Sequence, residues 1–301
     1  MKYICAQPAI QYFAWQIDVM LHSFKKANIN LNDVHIICST NDGIDPHFKK
    51  LKNKYTGVLF SFYEDTRKYK GYIPSIKQHL LYKHYLKYPE LENEIIFLVD
   101  SDICLIKPID FSNLLNDNIW YLSDTISYIG YDYIKSKGDD ILKPMLEIAG
   151  INENIVKSMQ NASGGAQYLI KNVNAEYWRE VVELSHKLYI DISKISNEKK
   201  AKNEDYFPIQ IWTAEMWALL WVAWKKGIMT AVAKELDFCW ATDNISRWNE
   251  TSIFHNAGVT EDRKELFYKG KYINNMPDLY LNIDNTKCSY NYYEVLKQAL
   301  I

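Results

Sequence analysis

The chain lacks a basic surplus, a cysteine-pairing pattern, a long apolar run and any internal repeat, and each absence removes a class of function. Its 35 lysines and arginines against 37 acids leave a net charge of −2 and a pI near 6.4. That balance argues against a polyanion as main partner, so neither nucleic acid nor an anionic membrane surface is expected. The five cysteines (Cys5, Cys38, Cys104, Cys239 and Cys288) are odd in number, scattered, and show no CxxC or zinc spacing. Reduced, buried thiols in an intracellular compartment are the simplest expectation. Residues 1–8 carry one lysine but no apolar stretch ending in a small-residue cleavage site, so no signal peptide is expected. The most apolar segment, residues 209–224, is too short and interrupted to span a bilayer, so no integral membrane segment is expected. The Asn-x-Ser/Thr triplets at Asn161, Asn244 and Asn249 matter only in a secretory lumen, and nothing in the sequence sends the chain there. The chain also lacks a low-complexity linker, and 301 residues suit one interlocked α/β unit over 1–301.

What is present is unusually aromatic: 23 Tyr, 11 Phe and 9 Trp make up 14% of the chain. Flat side chains with a polar edge stack well on sugar rings, but they also fill cores. Residues 2–6 read as a first strand, with Gln7-Pro8 as its loop. Residues 12–26 place Phe13, Ile17, Met20, Leu21 and Phe24 at three- and four-residue steps, which predicts an amphipathic helix. A strand over 34–38 breaks into the turn cluster 39–43, a helix follows over 46–55, and a strand over 58–63. Pro74 and Ser75 open a further helix, and Ile95-Ile96-Phe97-Leu98-Val99 is an unbroken apolar strand. Short buried strands alternating with helices predict a mostly parallel, doubly wound central sheet flanked by helices. Beyond it, helices are expected over 139–146, 153–159 and 175–188, a strand over 166–171, and a polar, lysine-rich surface loop over 194–203.

The strand at 95–99 runs straight into Asp100-Ser101-Asp102. Side chains at i and i+2 of an extended segment face the same way, so two carboxylates share one crevice at the sheet edge where open α/β sheets bind ligands. Their mutual repulsion calls for a divalent cation, and hard oxygen ligands suit Mg²⁺ or Mn²⁺ with positions left for a diphosphate. Leu105, Ile106 and Ile109 return at once to apolar character, so the acids sit between buried flanks. Gly164 and Gly165 enter a strand and let the backbone approach a ligand closely, or simply make a turn. Residues 214–226 are apolar nearly all round and predict a buried helix capped by Thr213. Glu215 then lies in its first turn, where the helix dipole favours a carboxylate, and Trp212 and Trp217 suggest a dry setting in which that carboxylate acts as a base. His255 follows a short apolar strand beside Gly258, and its imidazole suits the same cation.

In this order the acid pair, the Gly-Gly strand, Glu215 and His255 resemble the GT-A-fold (Rossmann-like) glycosyltransferases. More narrowly, residues 90–260 resemble the hydroxyproline O-arabinosyltransferase and peptidyl-serine galactosyltransferase group in Asp102 through Lys107-Pro108, the Gly-Gly strand, Glu215-Met216-Trp217-Ala218 and Phe254-His255. The resemblance implies a hexosyl- or pentosyltransferase that uses Mn²⁺ or Mg²⁺, a nucleotide-diphosphate sugar donor and a glycan or glycoconjugate acceptor. It divides the chain into a nucleotide-sugar-binding half, 1–110, and an acceptor-binding half, 111–301. It implies that Asp102 binds the metal, Asp100 the metal or the ribose, and His255 completes the metal sphere, with Ser101 beside the donor. Ala6, Gln7, Pro8, Thr40 and Asp42 would line the base and ribose pocket, Lys77 would contact the diphosphate, and Gly164, Gly165 and Gln167 would face the transferred sugar. Glu215 would deprotonate the acceptor hydroxyl in an inverting enzyme, or steady the oxocarbenium-like sugar in a retaining one. A cytoplasmic setting is expected, that of a host cell if the source is viral. Two rivals are a metal-dependent nucleotidyltransferase, whose basic or Gly-rich N-terminal loop is missing, and a non-catalytic carbohydrate-binding protein, which leaves the acid pair unexplained.

Overall fold

A computed structural model describes residues 1–41 and 43–301. Asp42, expected in the ribose pocket, lies outside the described residues. The strands are β1 Lys2–Pro8, β2 Val34–Ser39, β3 Leu59–Tyr63, β4 Ile96–Val99, β5 Ile103–Leu105, β6 Trp120–Asp124, β7 Gly164–Ile170, β8 Thr230–Val232, β9 Phe238–Trp240 and β10 Ile253–His255. Seven of them form a central sheet in the order β3-β2-β1-β4-β7-β6-β8, and the others a small sheet, β5-β10-β9. β1–β2, β2–β3 and β6–β8 are parallel, while β6–β7 is antiparallel. This is the α/β architecture the apolar runs announce: β2, β4 and β7 are buried along their whole length, as strands covered on both faces must be. No helix among the described residues is long and apolar enough to cross a membrane. All five cysteines are buried and no disulfide joins them.

The chain folds into two compact units whose segments interleave: Met1–Glu64, Phe97–Asn113 and Lys234–Ile301 make the first, Asp65–Ile96 and Leu114–Ala233 the second. Neither coincides with the expected halves 1–110 and 111–301. In the first unit the helix Gln11–Lys26 buries Trp15 and Val19 against Cys104, Cys239, Phe254 and Phe267, with Tyr292 and Leu296 of the C-terminal helix Cys288–Leu300. That core holds the small sheet, and so positions the ends of β5 and β10. Gln7 and Pro8, expected in a loop, instead complete β1 opposite Cys38 and Ser39.

In the second unit one helix, Ala175–Lys202, is far longer than expected. The lysine-rich run read as a loop is its last turns. Leu188, Ile192 and Ser196 continue a buried stripe at four-residue steps, and Lys199, Lys200 and Lys202 suit the negative helix end. At the other end Asn174 caps it by accepting from the Tyr177 N–H at 3.0 Å.

The same unit holds a buried ionic knot. Arg67 donates to both oxygens of Asp65 at 2.9 Å, and to Ser75 Oγ at 2.6 Å. His79 Nε2 accepts from the Thr66 backbone N–H at 3.2 Å, which needs the neutral ring. Burial pushes its pKa down from 6.5 to about 4, with nearby Asp65 opposing the shift. The sign follows: below pH 6.5 the unfolded imidazole takes a proton that the folded one refuses, so stability is whole above 6.5 and drains as pH falls toward 4. In urea melts from pH 7 to 4, His79→Gln, which keeps an acceptor, is expected to lose less stability than wild type, by up to roughly 1.4 kcal/mol per pH unit. Equal slopes would show that His79 protonates freely in the fold.

Candidate functional site

β4 ends at Val99, and Asp100, half-buried, is the first residue beyond it. Ser101 and Asp102 are buried in the turn that leads into β5, so the segment is not extended as expected. What joins the groups is that turn together with the antiparallel pairing of β5 and β10, which sets Ile103 opposite His255. The Asn256 N–H donates to the Asp102 carbonyl at 2.9 Å and closes the pair. His255 Nε2 lies 3.3 Å from Asp102 Oδ1, and its ring is stacked on Trp240 with centroids 5.6 Å apart. Asp102 Oδ2 forms an ion pair with Lys269. One ligand atom each from Asp100, Asp102 and His255 lie within 4.8 Å of one another. Two carboxylate oxygens and an imidazole nitrogen form a donor set that fits Mn²⁺ or Mg²⁺, with positions to spare.

The electrostatics of Asp102 are decided by its neighbours. Burial by itself raises its pKa, but Lys269 and then His255 outweigh it and hold the carboxyl well below the usual range. Burial depresses the Lys269 ammonium, and Asp102, Tyr12 and Asp100 together more than offset it, for a net rise. Lys269 opens the 3₁₀ turn Lys269–Tyr272, and sequence reasoning missed it. No spacing or periodicity in that stretch announces an inward lysine.

Of the residues expected in the base and ribose pocket, Ala6 is fully buried, while Gln7 and Pro8 are half-buried at the end of β1. Thr40 follows β2, and its N–H donates to Tyr63 O at 3.0 Å. All four belong to the first unit, at the carboxyl ends of neighbouring parallel strands, where ligands of open α/β sheets bind.

In the second unit the helix Ala214–Lys225 is buried from Ala214 to Trp224. Thr213 precedes it without capping it: its hydroxyl donates backward to Gln210 O at 2.8 Å. Glu215, in the first turn, is buried and its carboxylate is clamped. Gln78 Nε2 donates to Oε2 at 2.6 Å, and Lys77 Nζ stands 3.5 Å from Oε1. The Glu215 N–H donates to Tyr72 Oη at 2.9 Å, and that hydroxyl donates to Trp212 O at 2.6 Å. Lys77, expected on a diphosphate, is therefore brought to Glu215. Of the two tryptophans expected to keep Glu215 dry, Trp217 is fully buried, but Trp212 is 59% exposed.

Gly164, Gly165 and Gln167 lie in β7, wholly buried. A Cβ on Gly164 would strike Leu122 Cβ and the Ser123 carbonyl, so the chain's own atoms enforce that glycine, while one on Gly165 would displace the tip of the Met216 side chain. Ala166 has φ 65°, a strained value for a residue with a Cβ, where the β6–β7 register shifts at Leu122/Ser123. Gln167 Oε1 accepts from Ser123 Oγ at 2.6 Å.

No protein-family model matches the chain, and no curated protein sequence matches it. Among solved structures it is similar to WbbM, a bifunctional glycosyltransferase in its apo form, at 11% identity and TM-score 0.48, over 98% of this chain and 51% of that one. This chain thus spans about half the length of WbbM. It is also similar to a glycosyltransferase involved in glycosylation of the major capsid of PBCV-1, at 12% identity and TM-score 0.40, over 86% of this chain and 93% of that one.

Lys269 and a divalent cation would share the same carboxylate. In metal-free buffer Lys269→Met is expected to lose about 3 kcal/mol of stability, because Asp102 keeps its buried charge and loses its cation. Added Mn²⁺ is then expected to raise the Tm of the variant more than that of wild type. Equal Mn²⁺ shifts in melts of both proteins would show that ammonium and metal do not compete for Asp102.

Proposed function

We propose that this chain is a metal-dependent glycosyltransferase, moving a hexosyl or pentosyl group from a nucleoside-diphosphate sugar to a hydroxyl of a glycan or glycoconjugate. The observation that carries the reading is the convergence of Asp100, Asp102 and His255 within 4.8 Å just beyond the buried strand β4. Asp102 and His255 hold Mn²⁺ or Mg²⁺, and Asp100 completes the set or takes the ribose. When bound, such an ion neutralises a diphosphate and the charge that develops on the leaving nucleoside diphosphate.

Ala6, Gln7, Pro8 and Thr40 take the base and ribose, in keeping with their place at the ends of β1 and β2. Ser101 sits in the acid turn beside the donor, while Gly164, Gly165 and Gln167 serve the sugar side. Glu215 accepts the proton of the acceptor hydroxyl as that oxygen bonds the anomeric carbon. The bond from the anomeric carbon to the diphosphate oxygen breaks, and its electron pair leaves with the nucleoside diphosphate. Support for a base comes from the clamp itself: Lys77 and Gln78 occupy one oxygen each, favouring the carboxylate and fixing its direction. Lys77 thereby gains a role beside the diphosphate contact.

Two measurements test this. A thermal-shift screen of nucleotide sugars, each with and without Mn²⁺, is expected to find one donor whose stabilisation needs the metal and vanishes in Asp102→Ala. Metal-independent binding of free glycans with no nucleotide response would overturn the transferase reading. With that donor, Glu215→Gln is expected to cut transfer roughly 10²–10⁴-fold while donor binding is kept. Near-normal transfer would remove the base role from Glu215.

A further inference from the structure

Among the described residues, which include all nine tryptophans, Trp212 is the only one classed as exposed. Its exposure is built in. It sits in the 3₁₀ turn Ile211–Thr213, where the Thr213 N–H donates to Gln210 O at 3.0 Å. Its own carbonyl accepts from Tyr72 Oη at 2.6 Å, and the same hydroxyl accepts from the Glu215 N–H at 2.9 Å. Tyr72 is itself immobilised, stacked on Tyr189 with centroids 4.4 Å apart and edge-on to the Trp212 ring at 6.0 Å. One buried tyrosine thus fixes the backbone that presents a solvent-facing indole next to the start of the helix that carries Glu215. An aromatic face held out of a core that absorbs most of the other tryptophans is placed where a ligand can reach it.

We propose that Trp212 is the platform of a sugar-binding subsite for the acceptor, on which a pyranose ring of an oligosaccharide lies by its C–H face. This rests on Glu215 being the base for the acceptor hydroxyl. The size of the feature selects the occupant. An aromatic side chain offers about 150–250 Å² of contact, whereas a stable protein partner needs about 800 Å² on each side. A sugar ring fits that area, and it presents what the place requires: an apolar face for the indole and hydroxyls for a carboxylate already held by Lys77 and Gln78.

The test uses the intact chain with chitotriose, cellotriose and mannotriose as probes, read by isothermal titration calorimetry, which does not depend on the indole that the variants remove. The Mn²⁺-dependent thermal shift with nucleotide sugars is measured in parallel. At least one trisaccharide is expected to bind wild type, Trp212→Ala to weaken that binding by about tenfold or more, and Trp212→Phe to restore most of it. The nucleotide-sugar shift is expected to be the same in all three proteins, which also reports that the variants are folded. Saccharide binding that Trp212→Ala leaves intact would overturn the subsite, as would a wild type that binds none of the three saccharides. Saccharide binding through Trp212 without any nucleotide-sugar shift would uphold the subsite and sink the transferase reading instead.

Discussion

A carboxylate buried as deeply as Asp102 stays ionised only where positive charge offsets its lost hydration. Much of the first unit can be understood as the means of supplying that charge. β5 and β10 pair antiparallel so that His255 reaches one oxygen, and the turn at Lys269–Tyr272 brings an ammonium to the other. The aromatic core of Trp15, Phe254, Phe267 and Tyr292 holds both strands in register, because a slip of one residue would turn His255 to the opposite face. Stacking on Trp240 leaves the imidazole little freedom of orientation. The arrangement is therefore built around a buried negative charge at one point, with an ammonium and an imidazole brought to it from two distant parts of the chain. A chain needing only a stable fold would gain as much from an apolar residue at position 102.

The second unit treats Glu215 in the same way with different parts. Its helix supplies the favourable dipole end, Lys77 the counter-charge and Gln78 a donor, while Tyr72 Oη accepts from the Glu215 backbone N–H. The glycines of β7 belong to this arrangement. Met216, the residue after Glu215, packs where a Cβ on Gly165 would stand. The close approach that a Gly-Gly strand foretells is thus real, but the approaching atoms are the chain's own. That places Gly165 against the helix that carries Glu215.

The legible parts of this chain were those whose signal is local. An apolar run ending in Asp100-Ser101-Asp102, the all-round apolar helix after Thr213 and the short strand before His255 each carry their evidence within a few residues. Where the reading failed, the deciding contact was distant. The lysine-rich end of the helix Ala175–Lys202 looked like a loop because charge hid a buried stripe of single residues four apart. Residues 101–102 turn instead of extending because β5 leaves the central sheet to pair with β10, some 150 residues away. Lys269 is recruited by a carboxylate 167 positions earlier, a choice that no local pattern records. The interleaving of the two units has the same origin, since each is assembled from segments that meet only after the chain has passed through the other.

Trp212 and Trp217 show how fine that limit is. Five positions apart and flanking the same acid, they looked equivalent as aromatic neighbours of Glu215. Trp217 lies within the helix, turns inward and donates its indole N–H to Ile129 O at 2.9 Å. Trp212 lies before the helix, in a turn whose carbonyl is tied down by Tyr72, so its ring is left outside. The difference is set by one hydroxyl that satisfies two backbone groups at once: the orphan N–H of the helix start and the carbonyl of the turn before it. A buried tyrosine at that position therefore does more than cap a helix. It ties the turn that carries the exposed Trp212 to the helix that carries the buried Trp217.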